Sequence, residues 1–216
     1  GRWGSQAYQA GGGCERLGVP ALHFTDGPRG VAIGNSTCFP VTMARGASWD
    51  VDLERRIGEA MGIEARAGGA TLSGAVCVNL LRHPGWGRAQ ETYGEDPYLT
   101  SRIGIAFVRG LQGNDPDYLK TSACAKHYVV HSGPEKIRHH FNALPSERDF
   151  RETYLPAFQA LVQEGKVESV MCAYNRTYDE PCCGSGYLLN DILREEWGFQ
   201  GHIVSDCWAL DDIWAR

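Results

Sequence analysis

The chain has 216 residues, 43% hydrophobic and 22% charged, with a net charge of −5 at neutral pH. That is enough for one well-packed core and too little for two large domains, so residues 1–216 read as a single domain. The acidic balance leaves no basic stripe for nucleic acid, and no run reaches the ~18 apolar residues of a membrane helix.

Residues 1–6 lack Met and the apolar core of a secretory leader, and residues 213–216 stop within a helical pattern. Both ends read as cut, which leaves the compartment open. Of eight cysteines, Cys77, Cys124 and Cys172 lie in apolar runs and read as small core residues. Cys14, Cys38, Cys182, Cys183 and Cys207 fall in loops or at strand ends, where a disulfide is open. The absence of a CxxC pair argues against a zinc or thioredoxin-like motif.

Residues 22–26 read as a short strand ending in Asp26, and residues 27–30 as a turn set by glycine and proline. Residues 39–44 are an apolar run read as a second inner strand. Asp50 is placed to cap a helix with the stripe Leu53, Ile57, Ala60 and Met61, closed by Gly68 and Gly69. Residues 75–80 are continuously apolar, as in a strand covered on both faces. The loop over residues 82–97 is long and rich in charge, aromatics and glycine, the composition of a functional loop. Asp96 and Pro97 open the next helix, with the stripe Leu99, Ile103, Ala106 and Phe107.

Residues 122–128 form a fourth strand that ends in Lys126 and His127. Ser146 starts a capping-box-like helix lined by Phe150, Tyr154, Phe158 and Leu161, with Pro156 placed to kink it. Residues 167–175 are the fifth strand. A helix with Leu188, Leu189, Ile192 and Leu193 stops at Gly198. The sixth strand, Ile203 and Val204, ends at Asp206.

This α/β alternation implies parallel strands joined by right-handed crossovers, either a (β/α)8 barrel or an open doubly wound sheet. Asp26, Arg88, Lys126, His127, Tyr174 and Asp206 all fall at or beyond strand C-termini. A barrel gathers such ends around one mouth, whereas an open sheet usually carries a glycine-rich phosphate turn, absent here. The expected fold is therefore TIM-barrel-like and incomplete, with about six of the eight βα units.

Each polar residue has two readings. Asp206 is either a helix cap or a carboxylate nucleophile, and its apolar setting makes an idle charge costly. Lys126 and His127 are either a snorkelling lysine and a core histidine or two groups that reach the mouth as the chain turns. Asp26 and Arg88 either pair with each other or grip the hydroxyls of a polyol. Tyr174 is core or a hydroxyl donor, and Trp86 and Trp208 pack or stack on a sugar. His131, His139 and His140 are irregularly spaced and read as solvated loop residues rather than zinc ligands, and Asp211 and Asp212 as a solvated helix start. A cleft with one carboxylate, hydroxyl-gripping groups and aromatics suits a sugar, and the reaction it supports is carboxylate attack at an anomeric carbon.

Residues 25–30, 85–97, 126–128, 169–175 and 201–206 match, in order, motifs of glycoside hydrolase family 3, and the chain resembles its N-terminal barrel domain, truncated. The resemblance implies a retaining, exo-acting β-glycoside hydrolase of β-glucosidase type, with β-xylosidase as the alternative. It implies Asp206 as the catalytic nucleophile. Asp26, Arg88, Lys126, His127 and Tyr174 correspond to the residues that hold the sugar where cleavage occurs. It implies a β-linked oligosaccharide or glycoside as substrate and no metal or organic cofactor. Residues 131–135 resemble the β-xylosidase-like branch, and residues 24–49 the β-glucosidase branch. Cys207 stands where many members have Trp. The family's general acid is usually a Glu on a later domain, so a missing C-terminal domain or second chain is expected to supply it. Two rivals remain: a non-catalytic sugar-binding barrel fragment, and an aldolase using Lys126 as a Schiff base, which needs a depressed lysine pKa.

Overall fold

A computed structural model describes residues 9–214 except Ile33 and Pro116; the first residues and the last two, read above as cut ends, lie outside the described residues. Strands β1 (Gln9–Gly11) and β2 (Leu22–Thr25) precede helices α1 (Thr42–Gly46) and α2 (Val51–Ala67). Strand β3 (Leu72–Cys77) leads into α3 (Pro97–Gln112). Strand β4 (Ser122–Tyr128) and the two-residue β5 (Asn142–Ala143) lead into α4 (Glu147–Asp149) and α5 (Pro156–Gln163). Then follow β6 (Ser169–Cys172), the short β7 (Arg176–Thr177) and β8 (Glu180–Pro181), a π-helical stretch Tyr187–Glu196, and β9 (His202–Ser205).

The main sheet runs β1-β2-β3-β4-β6-β9 and curls into half a barrel. Strands β2 through β9 pair in parallel, and β1 adds to β2 antiparallel. Strands β3 and β4 are buried along their whole length, which explains their unbroken apolar character. The helices cover the outer face, where Ile57, Met61, Phe107, Leu111, Phe158, Leu161 and Leu188 pack with Val76, Ala125 and Val170. Burial of each such side chain contributes roughly 1.5–3 kcal/mol. Helices α2 and α3 cross closely because glycine faces backbone there: a Cβ on Gly58 would lie 2.6 Å from Phe107 O, and one on Gly110 2.3 Å from Arg55 O.

The expected caps form. Asp50 Oδ1 accepts from Leu53 N at 2.8 Å, Asp96 Oδ1 from Leu99 N at 2.7 Å, and Ser146 Oγ from Asp149 N at 3.1 Å. Pro156 offers no N–H to the preceding turn, and the chain passes through it as a π-helical stretch over Phe150–Tyr154.

Four expectations need correction. The run 39–44 is not a strand; it leads into α1, and Pro40 withholds a ladder donor just before it. Strand β3 lies three residues earlier than residues 75–80: its ladder runs from Leu72 to Cys77, and Val78, Asn79 and Leu80 stay buried just beyond it. Strand β1 was not anticipated; with residues 39–44 outside it, the main sheet has, among the described residues, five parallel strands plus antiparallel β1 rather than six parallel ones. Cys172 is not a free core thiol: it is bonded to Cys183, tying the end of β6 to the turn after β8. That bridge spans a separation of 11 residues, and closing so short a loop stabilises by about 2–3 kcal/mol. Cys183→Ser is expected to lower the urea-denaturation free energy by that amount. An unchanged midpoint and slope would contradict a structural role for the bridge.

Candidate active site

Asp26 follows β2 at the start of a tight turn. Gly27 has φ 118°, and a Cβ there would lie 1.9 Å from Gly30 O, so the turn accepts only glycine. The turn brings Gly27 N within 2.9 Å of Asp26 Oδ1. From the end of β4, Lys126 reaches back across β3 and donates to the same oxygen at 2.7 Å. Burial alone would raise the Asp26 carboxyl, but Lys126 and Gly27 N–H reverse the effect and hold it below its ordinary value. Burial alone would lower the Lys126 amine, but Asp26 and Glu91 hold it above its ordinary value. The two therefore remain an ion pair at neutral pH. Asp26 pairs with Lys126 and not with Arg88, which corrects one of the readings above.

Arg88 lies on the β3–α3 loop. Its Nε and Nη2 donate to the two Glu91 oxygens at 2.7 and 2.8 Å, a bidentate clamp across one short helical turn. Its Nη1 stands 3.8 Å from Asp206 Oδ2. Glu91 is not among the site residues read from the sequence, although its spacing of three residues from Arg88 could have put it there.

Asp206 lies just past β9 and is only 7% exposed. Its Oδ1 accepts from Cys207 N at 2.7 Å. Its Oδ2 is buried, has no hydrogen-bond partner among the described residues, and stands 3.5 Å from His127 Nε2. This is not a helix-cap geometry, because the side chain binds the adjacent amide rather than one two or three residues on. Tyr174, beyond β6, is held between the Arg138 guanidinium, 4.9 Å from its ring, and the His139 ring at 4.3 Å. Burial, and then the Asp206 charge beside it, push its phenol well above the ordinary value.

Asp26, Arg88, Lys126, Tyr174 and Asp206 share one cavity of about 680 Å³, and His127 sits fully buried behind Asp206. All six residues picked out in the sequence are thus gathered at one end of the sheet. A second cavity of about 540 Å³ continues from Asp26, Arg88 and Glu91 under the turn that follows β2. Trp208 stands at the lip of the first cavity, whereas Trp86 is buried and packs.

The histidine and aspartate readings are corrected in part. His131 is 3% exposed, with Nδ1 3.1 Å from Asn175 Oδ1, and burial together with Arg88 pushes it down to about 3. His139 Nδ1 lies 2.8 Å from Asp212 Oδ2, so neither residue is idle in solvent. The β4–α4 loop folds back over the sheet and carries both histidines inward, which their irregular spacing did not reveal. His140 is exposed as expected. Among the described residues, no group of three or more His, Cys, Asp or Glu is placed to hold a metal ion.

A parallel α/β sheet curled into half a barrel, with its acids, cations and phenol convergent at the strand C-termini, is the architecture of a barrel-type glycosidase domain. Residues 6–216 match the glycosyl hydrolase family 3 N-terminal domain, and the chain belongs to that family. It is 60% identical over 139 residues, 63% of its length, to a xylan 1,4-beta-xylosidase of Xylanibacter ruminicola. It is 38% identical over 227 aligned positions, 94% of its length, to beta-D-xylosidase 3 of Arabidopsis thaliana. It superposes on beta-glucosidase 3B from Thermotoga neapolitana in complex with alpha-D-glucose with a TM-score of 0.86, 35% identity and 91% of its length covered. The chain spans 16%, 29% and 28% of these three proteins. Its relatives are thus glycoside hydrolases of both β-glucosidase and β-xylosidase type.

Proposed function

We propose that residues 1–216 form one barrel domain of (β/α)8 type that holds the sugar for a retaining, exo-acting β-glycosidase, with Asp206 as nucleophile. The observation that carries this is Asp206 itself: one oxygen is anchored by Cys207 N, and the other, at the cavity wall, has no hydrogen bond among the described residues, with the Arg88 guanidinium 3.8 Å away. That free oxygen forms a bond to the anomeric carbon as the glycosidic C–O bond breaks. The leaving oxygen takes a proton from a general acid. Water then attacks the same carbon, surrenders a proton and frees Asp206, and the two inversions give net retention. Asp26, Lys126 and Arg88 grip ring hydroxyls as fixed acceptors and donors.

The other carboxylates that line the cavity are each paired with a cation: Asp26 with Lys126, Glu91 with Arg88, and Glu135 with Arg138 at 2.8 Å. We therefore assign the general acid to a carboxyl outside these residues, on a further domain or a second chain. A general acid contributes about 10²–10⁴-fold. The 216-residue chain is expected to keep its best rates for aryl glycosides with good leaving groups and to lose most on disaccharides.

The preferred substrate is a β-glucoside, because the second cavity beside Asp26 leaves room for a hydroxymethyl group. The second reading is a β-xyloside, which has the same ring hydroxyls without that group. It is favoured by the 60% identical stretch shared with a xylan 1,4-beta-xylosidase. The ratio of kcat/KM on 4-nitrophenyl glucoside and xyloside decides between them. The mechanism is tested with an activated 2-deoxy-2-fluoro-β-glycoside: the adduct is expected on the peptide containing Asp206, and an adduct on any other residue contradicts the assignment. An absence of both turnover and adduct would favour the non-catalytic sugar-binding alternative. The aldolase alternative is disfavoured by the Lys126 amine, which is held above its ordinary value where a Schiff-base lysine is lowered.

A further inference from the structure

Asn79 lies just past β3, 4% exposed, and its side-chain amide meets both the backbone and the ring of one residue of the neighbouring strand. Its Nδ2 donates to His127 O at 2.8 Å, and its Oδ1 accepts from His127 N at 2.7 Å. A backbone N–H only donates and a backbone carbonyl only accepts, so these two bonds allow the amide one orientation. The same Oδ1 lies 3.0 Å from His127 Nδ1. An amide oxygen is only an acceptor, so Nδ1 must carry the ring proton. The Nε2 atom, buried and without a hydrogen-bond partner among the described residues, is then a bare lone pair 3.5 Å from Asp206 Oδ2, which likewise lacks a hydrogen bond there and has the Arg88 guanidinium 3.8 Å away.

We propose that Asn79 is a positioning residue that fixes the His127 tautomer, so that Nε2 faces Asp206 as an acceptor rather than as a cationic partner. This deepens the nucleophile reading above and rests on it. Two adjacent acceptors favour a donor over a cation, and a sugar hydroxyl that reaches them donates its one proton to either. A neutral imidazole adds no second cation to the attacking carboxylate beside Arg88, whereas an imidazolium 3.5 Å away would pair with it more closely than Arg88 does at 3.8 Å. An acidic residue at position 79 would favour the charged ring; the neutral amide does not.

The groups facing His127 agree with a neutral ring. Cys77 and Asn79 approach from β3 and its end, Arg88 from the following loop, and Lys126 from β4 itself. His131 and Arg138 approach from the β4–α4 loop, and Asp206 from the end of β9. Burial, then Arg88, His131, Lys126 and Arg138, hold the imidazole well below its ordinary value, which outweighs the one facing carboxylate.

The direct test is a long-range 1H–15N correlation spectrum of the histidine-labelled protein. His127 is expected to show a protonated Nδ1 and a bare Nε2 throughout the neutral range; an Nε2–H tautomer or an imidazolium overturns the proposal. This reading stands whether or not Asp206 labels, so its failure is distinguishable from failure of the nucleophile assignment. The functional test is Asn79→Asp, followed by the rate of labelling by the activated 2-fluoro glycoside. The new carboxylate raises the His127 pKa, so the acid limb of the rate profile is expected to move to higher pH. The rate on its acid side should fall at least about tenfold, while above that limb, where the ring is neutral, sugar binding is retained. A folded Asn79→Asp protein whose profile superimposes on the parent's overturns the proposal. Should that variant fail to fold, the spectrum of the parent decides.

Discussion

Asp206→Asn is expected to reduce labelling and turnover of an activated aryl glycoside by at least about a thousandfold. An amide does not displace a leaving group, whereas the remaining geometry survives the change. The new Oδ1 still accepts from Cys207 N, and the new Nδ2 meets His127 Nε2, a lone pair already pointing at it across 3.5 Å. Free sugar is therefore expected to bind as well as before, and thermal stability to stay level or rise. Asp206→Ala adds a sharper check, because a small anion such as azide then fits the vacated space. Azide attack at the anomeric carbon expels the aryloxide and yields the glycosyl azide of inverted configuration. Asp206→Asn activity within tenfold of the parent would remove the nucleophile assignment, while loss of sugar binding would recast Asp206 as a binding residue.

Arg45→Ala is expected to produce the largest loss of stability, about 3–5 kcal/mol at neutral pH, because it strands a buried carboxylate. Arg45 and Glu54 are 3% and 1% exposed, with Nη2 and Oε1 3.3 Å apart. Tyr93 OH donates to the same Glu54 oxygen at 2.7 Å, and the guanidinium lies 5.2 Å from the Phe107 ring centre. Burial raises the Glu54 carboxyl, and Arg45 and Tyr93 only partly offset it, so its folded value stays above the unfolded one. A raised acid contributes stability below its unfolded pKa and loses that contribution as pH rises through the folded pKa. Without Arg45 the folded value rises further. The deficit of Arg45→Ala should therefore narrow as pH falls and Glu54 takes a proton. Urea denaturation at neutral and mildly acid pH reads both effects. The double variant Arg45→Met, Glu54→Leu should recover most of the loss, since an apolar pair replaces a buried ionic one. A deficit under about 1 kcal/mol, or one independent of pH, would contradict this account.

The cluster also shows why some of the fold escaped the sequence. Arg45 and Glu54 look like ordinary surface charges of two successive helices, and only the packing of α1, α2 and the Tyr93 loop buries them. Strands β4, β6 and β9 were legible because continuous apolar runs end abruptly in polar residues. The caps at Asp50, Asp96 and Ser146 were legible because their bonds are local. Strand β1 has only three residues and carries no period of its own, and α1 is too short for a helical stripe to show through Pro40. In the site, residue types and strand ends were readable, but partners were not. Lys126 and Asp26 are 100 residues apart in sequence, and nothing local favours that pair over Asp26 with Arg88. Asn79 does not stand out inside the apolar run 75–80, and only its register against His127 sets it apart.

The most direct test is the crystal structure of the protein trapped with an activated 2-deoxy-2-fluoro-β-glycoside. The account predicts a covalent bond from Asp206 Oδ2 to the anomeric carbon, with ring hydroxyls in hydrogen-bond contact with Asp26, Lys126 and His127. A sugar bonded to Glu91, Glu135 or any other side chain, or seated away from these groups, would contradict it.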